Sequence, residues 1–341
     1  MSIDLFCYKA ECGDAIHIRY TGNNGNPHNI FLDSGFERTY RNILQQEIEC
    51  LIQNEESIDL WVVSHIHNDH IGGVIKYIKS VENNEIKDIT KYWFYNSPHN
   101  YSAVSYKEAN IVSLPTSIDQ GDKLYNFLYL NNMLPKQDIT TDLGIQDFFG
   151  MKIRILSPNI SIIKELRNKY QTGIPFEENE MNVISHATST IGYDYHKKMN
   201  NFNLEEFKED NSLENKSSIS LLLEYQEKKI LWLADSHPSV VIDSLVQNGY
   251  SSKQPLICDY IILSHHASKG NNSSLFFDMV KCNKYIVSSN GENKYCLPNK
   301  EVFARIIRNK HRDLSELYTF YFMYDTSNLK TIFKSDDKSL S

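Results

Sequence analysis

The sequence contains no long apolar run, no closely spaced cysteine pair and no excess of basic residues. None of its apolar stretches is long enough to cross a bilayer, so we expect no contact with a membrane. The start, MSIDLFCYKAECGDAIHIRY, lacks the basic and apolar segments of a signal peptide. The 6 cysteines are scattered without a CxxC motif, which favours free thiols in the reducing cytosol. These absences predict a cytoplasmic protein.

The shortage of basic residues limits the partners that the surface can attract. With 35 lysines and arginines against 43 aspartates and glutamates, the formal net charge is -8. Such a surface repels nucleic acid and anionic membranes, so a phosphate-containing substrate would have to be held locally by a metal or a few lysines. The charge therefore favours a nucleotide or a single-stranded nucleic acid over long duplex DNA.

Short apolar runs rich in β-branched residues are distributed along the whole chain. The runs predicted as strands are AIHIRY, NIFLD, LWVVS, KYWFY, MKIRIL, SISLLLEY, KILWLAD, YIILS and KYIVSS. The stretches IGGVIKYIKS, HPSVVIDSLVQNG and NKEVFARIIRNK lie between or after them and resemble helices. This order predicts an α/β protein with two mixed sheets and helices outside. The 341 residues suffice for one large domain or two smaller ones.

Residues 159–216 break this pattern. They are polar, rich in Asn, Glu and Lys, and show no strand alternation. A connection of this length inside a domain is either functional or disordered. We interpret it as an insertion, either a lid or a surface for a protein partner, with a mobile surface excursion as an equal alternative. His186 within it is interpreted as a solvated loop residue.

Four of the predicted strands lead into residues that commonly bind metal ions. These residues are Asp33, His65, Asp235 and the pair His265–His266. The ends of neighbouring strands meet at one rim of a sheet, so side chains far apart in sequence can converge there. The sequence therefore predicts a metal site at this rim.

The stretch VVSHIHNDHIGGV, residues 62–74, carries the densest group of such residues. His65 and His67 lie two apart in an extended segment and can face the same way. With Asp235 as a bridge, the predicted ligands are His65, His67, Asp69, His70, Asp235 and His265, the last completing the second site. Two ions about 3.5–4 Å apart would share a water and lower its pKa.

Two residues are predicted to support this site without binding metal. Asp33 is expected to accept a hydrogen bond from the distal nitrogen of a ligand histidine and so fix its tautomer. His237, which follows Asp235 and Ser236, is expected in the layer around the ligands. Asp33 and the predicted ligand Asp235 also have simpler structural explanations. Asp33 can cap a turn, and Asp235 can cap the following helix.

Together, these features resemble the metallo-β-lactamase-fold hydrolases. The resemblance rests on Asp33, on His65-Ile66-His67-Asn68-Asp69-His70, on Asp235 and on His265. Within that superfamily the chain most resembles the branch that includes the hydrolase domain of the competence protein ComEC. The local matches are GDAIHIRY with FLDSG, DLGIQDFFGMKIRILSP, NKSSISLLLEYQEKKILWLAD and YIILSHHAS. They run in order over most of the chain, apart from residues 159–216 and the last few dozen.

The resemblance implies a single domain over residues 1–341, folded as a four-layer αβ/βα sandwich with a dinuclear site at one edge. This sequence departs from the pattern in three places. No strand end between Asp69 and Asp235 supplies the histidine of the superfamily's third motif, so either His266 joins the site or the first ion is under-ligated. Ala267 stands where the branch has Gly, and Leu297 stands where it has a His before Pro.

The function favoured by these features is hydrolysis of phosphodiester bonds, by a nuclease or a small-molecule phosphodiesterase, through a metal-bridging hydroxide. Asp69 and His266 are the predicted catalytic residues. Lys269, Lys294 and Tyr295 are predicted phosphate contacts, although each is equally well explained as a solvated surface residue.

Two alternatives remain open from the sequence. The first is hydrolysis of a small ester, lactone or amide. The second is a scaffold module that has kept the fold and lost catalysis, for which Leu297 and the missing third-motif histidine are arguments. The imidazole and carboxylate ligands suit two zinc ions, with manganese or iron as alternatives.

Overall fold

The computed structural model describes residues 2–99, 116–171 and 192–336 of the chain. The strands in this part are β1 Ile3–Cys7, β2 Ala15–Thr21, β3 Pro27–Asp33, β4 Ile58–Val62, β5 Thr90–Phe94, β6 Ile145–Phe148, β7 Met151–Ser157, β8 Ser220–Tyr225, β9 Lys228–Trp232, β10 Leu256–Ile257, β11 Tyr260–Ile262, β12 Val280–Lys281, β13 Lys284–Val287 and β14 Thr319–Phe322. Every run that was predicted as a strand overlaps one of them.

The α-helices of the described part are α1 Glu37–Thr39, α2 Gln45–Gln53, α3 Asn68–Glu82, α4 Thr116–Leu130, α5 Ile160–Gln171, α6 Leu213–Lys216, α7 Pro238–Gln247, α8 Ser274–Asp278 and α9 Lys300–Ile307. A π-helical turn, Tyr40–Leu44, joins α1 to α2. Short 3₁₀ turns cover Thr141–Leu143, Asp194–His196, Met199–Asn201, Ser264–Ala267 and Leu329–Thr331. The three predicted helical stretches correspond to α3, α7 and α9.

Two large mixed sheets organise the molecule. The first has the order β1-β2-β3-β4-β5, with antiparallel pairing from β1 to β3 and parallel pairing from β3 to β5. The second has the order β14-β13-β11-β9-β8-β7-β6, parallel from β14 to β9 and antiparallel from β9 to β6. Strands β10 and β12 form a separate parallel pair.

The alternation of side chains along the central strands divides the interior into three apolar cores. In β3, Ile30 and Leu32 point toward the second sheet, whereas Phe31 points to the helices outside. In β8, Leu221 points toward the first sheet and Leu222 points outward. Both faces of these strands are covered, which explains why their sequences read as continuous apolar runs.

Helices cover the outer face of each sheet. The core outside the first sheet includes Ile48 of α2, Val74 of α3 and Leu124 of α4. The core outside the second sheet includes Val241 of α7 and Phe303 of α9. The layers therefore run helix, sheet, sheet, helix, and the predicted four-layer αβ/βα sandwich is confirmed.

The described part of residues 159–216 contains helices and turns and no strand. Although the segment is polar overall, its residues Tyr195, Met199 and Phe202 are buried in the core outside the second sheet. Residues 172–191, including His186, lie outside the described residues. That the whole chain is one domain with an insertion at 159–216 stays a prediction.

In the residues that the structure describes, we find no helix that combines the length and the apolar character needed to span a membrane.

Candidate metal centre

The predicted ligands come from the carboxyl ends of strands in both sheets. Strands β3 and β4 are parallel neighbours in the first sheet, and β9 and β11 are parallel neighbours in the second. Asp33 ends β3, and the residues from His65 to His70 follow β4. Asp235 follows β9, and His265 follows β11. The two sheets thus bring four strand ends to one edge, as the sequence predicts.

Left-handed backbone conformations are concentrated at these strand ends. Asp33 has φ 53°, Ala234 has φ 45°, and the consecutive residues His265, His266 and Ala267 have φ 47°, 55° and 64°. Each such residue costs about 1–2 kcal/mol for a side chain other than glycine. Strain of this kind persists where the surroundings hold it, often at functional sites. The bend that was expected at His265 and His266 is present, and it turns both imidazoles toward the site.

The donors form two groups around Asp235. The first ligand group consists of His65, His67 and His265, and the second ligand group consists of Asp69, His70 and His266. One ligand atom from each of His65, His67 and Asp235 lies within 4.8 Å of the others. The same holds for the second ligand group. The second ligand group, and His65 and His67 together with Asp235, therefore have the compactness of a metal site. His265 is assigned to the first ligand group by its distance to Asp235 Oδ2.

Asp235 faces both ligand groups with different oxygens. Its Oδ2 lies 3.7 Å from His65 Nε2 and 3.6 Å from His265 Nε2. Its Oδ1 lies 3.3 Å from His70 Nε2 and 3.7 Å from His266 Nε2. This is the placement expected of a bridging carboxylate.

The placement of the histidine pair differs from the expectation. His265 was expected to complete the second site, but its Nε2 faces the same Asp235 oxygen as His65. His266 was expected to handle protons, but its Nε2 lies 3.5 Å from Asp69 Oδ2, within the second ligand group. The left-handed turn separates the two rings, so each can serve a different ion. Of the two options left open, the geometry favours a role for His266 in the site.

A carboxylate lies behind His70, where Asp33 was expected. His70 Nδ1 donates to Asp33 Oδ2 at 2.6 Å. The amide and hydroxyl of Ser64 also donate to Asp33, at 2.7 and 2.6 Å. These bonds hold the imidazole with Nε2 toward Asp235, which is the tautomer that a ligand needs.

His266 has a comparable neighbour that sequence reasoning missed. The buried Asp14 accepts a hydrogen bond from Trp232 Nε1 at 2.9 Å, and its Oδ1 lies 3.7 Å from His266 Nδ1. A methyl group on the adjacent Gly13 would lie 2.2 Å from the carbonyl oxygen of Asp69. Glycine is therefore required there by close backbone approach. The Gly-Asp-Ala sequence at Gly13–Ala15, which is part of the family resemblance, is the sequence signal for this carboxylate.

The carboxylates create a strong preference for positive charge in the cluster. Burial lowers the pKa of His70, but the carboxylates of Asp235, Asp33 and Asp69 raise it well above its usual value. Burial raises the pKa of Asp235, but His265, His70 and His266 bring it well below its usual value. A buried site that attracts cations in this way suits divalent metal ions.

The unpaired atoms of the site give a direct test of whether metal ions fit. His65 Nε2, His70 Nε2, His266 Nε2 and Asp235 Oδ1 are buried and have no hydrogen-bond partner. A buried polar atom without a partner costs about 1–3 kcal/mol. Because these atoms converge, divalent ions would satisfy them together, and the residues fit the metals that the resemblance implies. The nitrogen and oxygen donors suit zinc, manganese or iron.

A cavity of about 530 Å³ opens onto both ligand groups. His67, Asp69, Asp235 and His265 form part of its lining, together with the predicted contacts Lys294 and Tyr295. Lys269 does not line it. The Lys269 side chain lines a separate cavity with Phe207 and Arg305, so its predicted contact with substrate lacks support.

The remaining predicted residues lie at the border of the site. His237 is buried, with Nε2 3.7 Å from Asp210 Oδ2 and Nδ1 3.9 Å from Glu209 Oε2. Its contacts are with Asp210 and Glu209, so its place in the layer around the ligands stays a prediction. Leu297 is buried, and its carbonyl accepts hydrogen bonds from Ser289 and Asn293.

Comparison with known proteins finds similar solved structures but no matching family. No family model and no curated protein matches the chain. Among solved structures it is similar to YhfI of Bacillus subtilis, a metallo-β-lactamase fold protein, with 10% identity over 94% of both chains and a TM-score of 0.44. A putative metal-dependent hydrolase from Parabacteroides distasonis matches with 10% identity over 95% of this chain and 99% of its own, with a TM-score of 0.38.

CmlA of Streptomyces venezuelae, a diiron β-hydroxylase, also matches, with 9% identity and a TM-score of 0.40. The match covers 97% of this chain but 49% of CmlA. The roles assigned to individual residues therefore rest on the geometry of this chain. Membership of the ComEC branch stays a prediction.

Proposed function

We propose that this protein is a dinuclear metal-dependent hydrolase that cleaves phosphodiester bonds. The observation that carries the proposal is the pair of ligand groups on either side of Asp235, with unpaired ring nitrogens converging on its two oxygens. Two divalent ions held there would neutralise the charge of a phosphate and lower the pKa of a water molecule. Zinc is the proposed metal, with manganese and iron as alternatives.

Asp69 is the proposed residue for proton transfer. It is the one member of the second ligand group among the described residues that line the cavity, and its side chain is 22% exposed. His266 does not reach the cavity, and its Nε2 faces Asp69 Oδ2 at 3.5 Å. We therefore assign His266 to metal binding and to holding the Asp69 carboxylate, and Asp69 to the proton that leaves or enters at the cavity floor.

Lys294 is the proposed contact with the phosphate. The cavity lining also carries Arg38 and Lys169, but Arg38 forms an ion pair with Glu11, and Lys169 lies 3.2 Å from Glu214. Lys294 instead lies over the ring of Tyr295, 4.8 Å from its centroid, and no carboxylate of the described residues pairs with it. Its charge therefore remains available to a substrate anion.

The size of the cavity narrows the proposed substrate. A volume of about 530 Å³ lies within the range of small-molecule sites. A nucleotide, or the end of a single strand, fits such a space better than a continuous duplex. The net charge of -8 points the same way.

A hydrolysis panel on metal-reconstituted protein tests the proposal. It includes bis-p-nitrophenyl phosphate, cyclic nucleotides, single- and double-stranded DNA, RNA, p-nitrophenyl acetate, a lactone and a β-lactam, each with zinc and with manganese. We expect turnover of phosphodiesters that Asp235→Asn abolishes. Turnover of the esters or the lactam alone would instead favour the C–O or C–N hydrolase, and two bound ions without any turnover would favour the scaffold module.

A matched pair of lysine variants tests the substrate contact. Lys294→Ala should raise KM for a phosphodiester about 10-fold, which corresponds to the loss of one charged hydrogen bond. Lys269→Ala removes an exposed lysine outside the cavity and should leave KM unchanged. Equal effects of the two substitutions would remove Lys294 from the proposed site.

A further inference from the structure

We propose that Asn271 and Asp210 position His265, and that residues 209–216 of the polar segment are therefore part of the metal centre. The inference rests on the proposed metal centre and adds to it two residues that neither the sequence pattern nor the family resemblance pointed to. It is carried by a set of hydrogen bonds that fixes which nitrogen of His265 is protonated.

The side chain of Asn271 has one possible orientation. Its Nδ2 lies 3.1 Å from the carbonyl oxygen of Asp235 and 3.1 Å from Asp210 Oδ2, and both are acceptors. The amide nitrogen must therefore face them, which leaves Oδ1 facing His265 Nδ1 at 2.9 Å. An oxygen acceptor there requires the hydrogen on Nδ1. His265 Nε2 is then unprotonated and directed toward Asp235 Oδ2 at 3.6 Å, as a metal ligand must be.

Asn215, which also lies near His265 Nδ1, does not compete for this bond. Asn215 Nδ2 lies 3.5 Å from that nitrogen but only 2.7 Å from Asp210 Oδ2. An amide N–H cannot accept a hydrogen bond, so Asn215 binds the carboxylate, and Asn271 remains the acceptor for the imidazole.

Asp210 in turn holds both amides. Its Oδ2 accepts from Asn215 and Asn271, and its Oδ1 accepts from the backbone N–H of Ser212 at 3.0 Å. Its own backbone N–H donates to the carbonyl of Gly270 at 3.1 Å. The side chain is 8% exposed, and these bonds fix its Oδ2 at 3.7 Å from His265 Nδ1.

The position of Asp210 in the chain connects the polar segment to the metal centre. It precedes α6 in the segment that resembles an insertion, whereas His265 and Asn271 belong to the loop after β11. Residues 209–216 thus close over the back of His265, as Asp33 does directly for His70. Loss of the network should free the His265 ring to rotate without disturbing the second ligand group.

Metal titration of Asn271→Ala and Asp210→Ala tests the proposal. Removal of a partner behind a ligand histidine typically weakens metal binding about 10- to 100-fold. We expect one of two zinc ions to weaken by that amount in competition with a chelator, and the other to keep its affinity. The visible spectrum of the cobalt-substituted protein should change as well, because it reports the geometry of the ligands.

The matched control is Asp194→Ala, in the same polar segment. The Asp194 carboxylate accepts hydrogen bonds from the backbone of Lys300 and Glu301, at 2.8 and 3.0 Å, and belongs to neither ligand group. This variant should lower the melting temperature while both ions and the cobalt spectrum stay unchanged. It separates a positioning role from a general loss of stability.

A reciprocal exchange sharpens the test. Asn271→Asp alone places a second carboxylate beside that of Asp210. It should weaken binding of the ion in the first ligand group. The double variant Asn271→Asp with Asp210→Asn restores a donor opposite an acceptor and should recover at least part of the affinity, giving a non-additive cycle. Two ions bound with unchanged affinity in Asn271→Ala would overturn the positioning roles and leave the hydrolase intact. A wild-type protein that binds no metal would overturn both.

Discussion

The two ligand groups on either side of Asp235 are built from different kinds of structure. The second ligand group is supported from the sandwich core, since Asp33 at the end of β3 holds His70, and Asp14 just before β2 lies behind His266. In the first ligand group, His265 is supported from outside the core, since Asn271 and Asp210 lie in loops.

The two groups also differ in their access to the cavity. His67 and His265 of the first ligand group line it, whereas Asp69 is the member of the second ligand group that does so among the described residues. The cavity therefore exposes two imidazoles of the first ligand group and one carboxylate of the second.

Removal of the shared residue should have the largest effect. Asp235→Ala takes away a carboxylate that faces both ligand groups, so we expect at least one ion to be lost and phosphodiester turnover to fall by more than about 10³-fold. Asp33→Ala affects only the support of His70 and should weaken binding about 10- to 100-fold. Metal counting at equal protein concentration compares the two. Retention of both ions in Asp235→Ala, with loss of both in Asp33→Ala, would reverse these assignments.

Substitution of His265 or of His266 should affect the ion of one ligand group and not that of the other. His265→Gln should weaken the ion of the first ligand group, and His266→Gln the ion of the second, while each variant keeps its other ion. Because the two rings face different oxygens of Asp235, the losses should be independent. Stoichiometry and the cobalt spectrum of each variant measure this. If His266→Gln keeps both ions and loses only turnover, His266 is a proton-handling residue and not a ligand.

Removal of the metal ions should lower the free energy of unfolding. Ions present at 100 times their dissociation constant add about 2.7 kcal/mol to the free energy of unfolding. Chelation should therefore lower the melting temperature, and the carboxylates of Asp235, Asp69 and Asp33 should repel one another more strongly. Melting curves with and without chelator check this. The Asp235→Ala variant serves as control, because its curve should respond much less.

Most members of both ligand groups could be predicted from the sequence, whereas the surroundings of His265 could not. Asp33 ends an apolar run and His65 directly follows another, and these runs are the neighbouring strands β3 and β4 of the first sheet. Asn271 and Asp210 lie in polar stretches where no periodicity exists, and their meeting depends on tertiary structure alone. The edge strands β1, β6 and β14 were not among the predicted strands either.

The different orientations of His265 and His266 could be predicted only in part from the sequence. Turn-forming residues in SHHASKGNNSS predicted a bend. They did not indicate three successive left-handed residues, because non-glycine side chains seldom adopt that conformation. The packing around the loop imposes it, and packing is not encoded in any short window of sequence.

The smallest expected effect concerns Ala267, where the branch that the chain resembles has Gly. Ala267 is buried with φ 64°. Replacement by Gly relieves a left-handed penalty of about 1–2 kcal/mol. It also gives up about 0.8 kcal/mol of methyl burial and about 0.4–1 kcal/mol through the greater freedom of the unfolded chain. These contributions nearly cancel, so Ala267→Gly should change the free energy of unfolding by less than about 1 kcal/mol and leave both ions bound.

Ala267→Val is the matched opposite of that change, because a β-branched side chain is strongly disfavoured at positive φ. It should straighten the turn that separates His265 from His266, and so weaken both ions together where each histidine variant weakens one. Metal titration and denaturant unfolding of the two Ala267 variants measure this. Loss of only one ion in Ala267→Val would mean that the turn positions a single histidine, and that the two ligand groups are built independently even where their residues are adjacent in sequence.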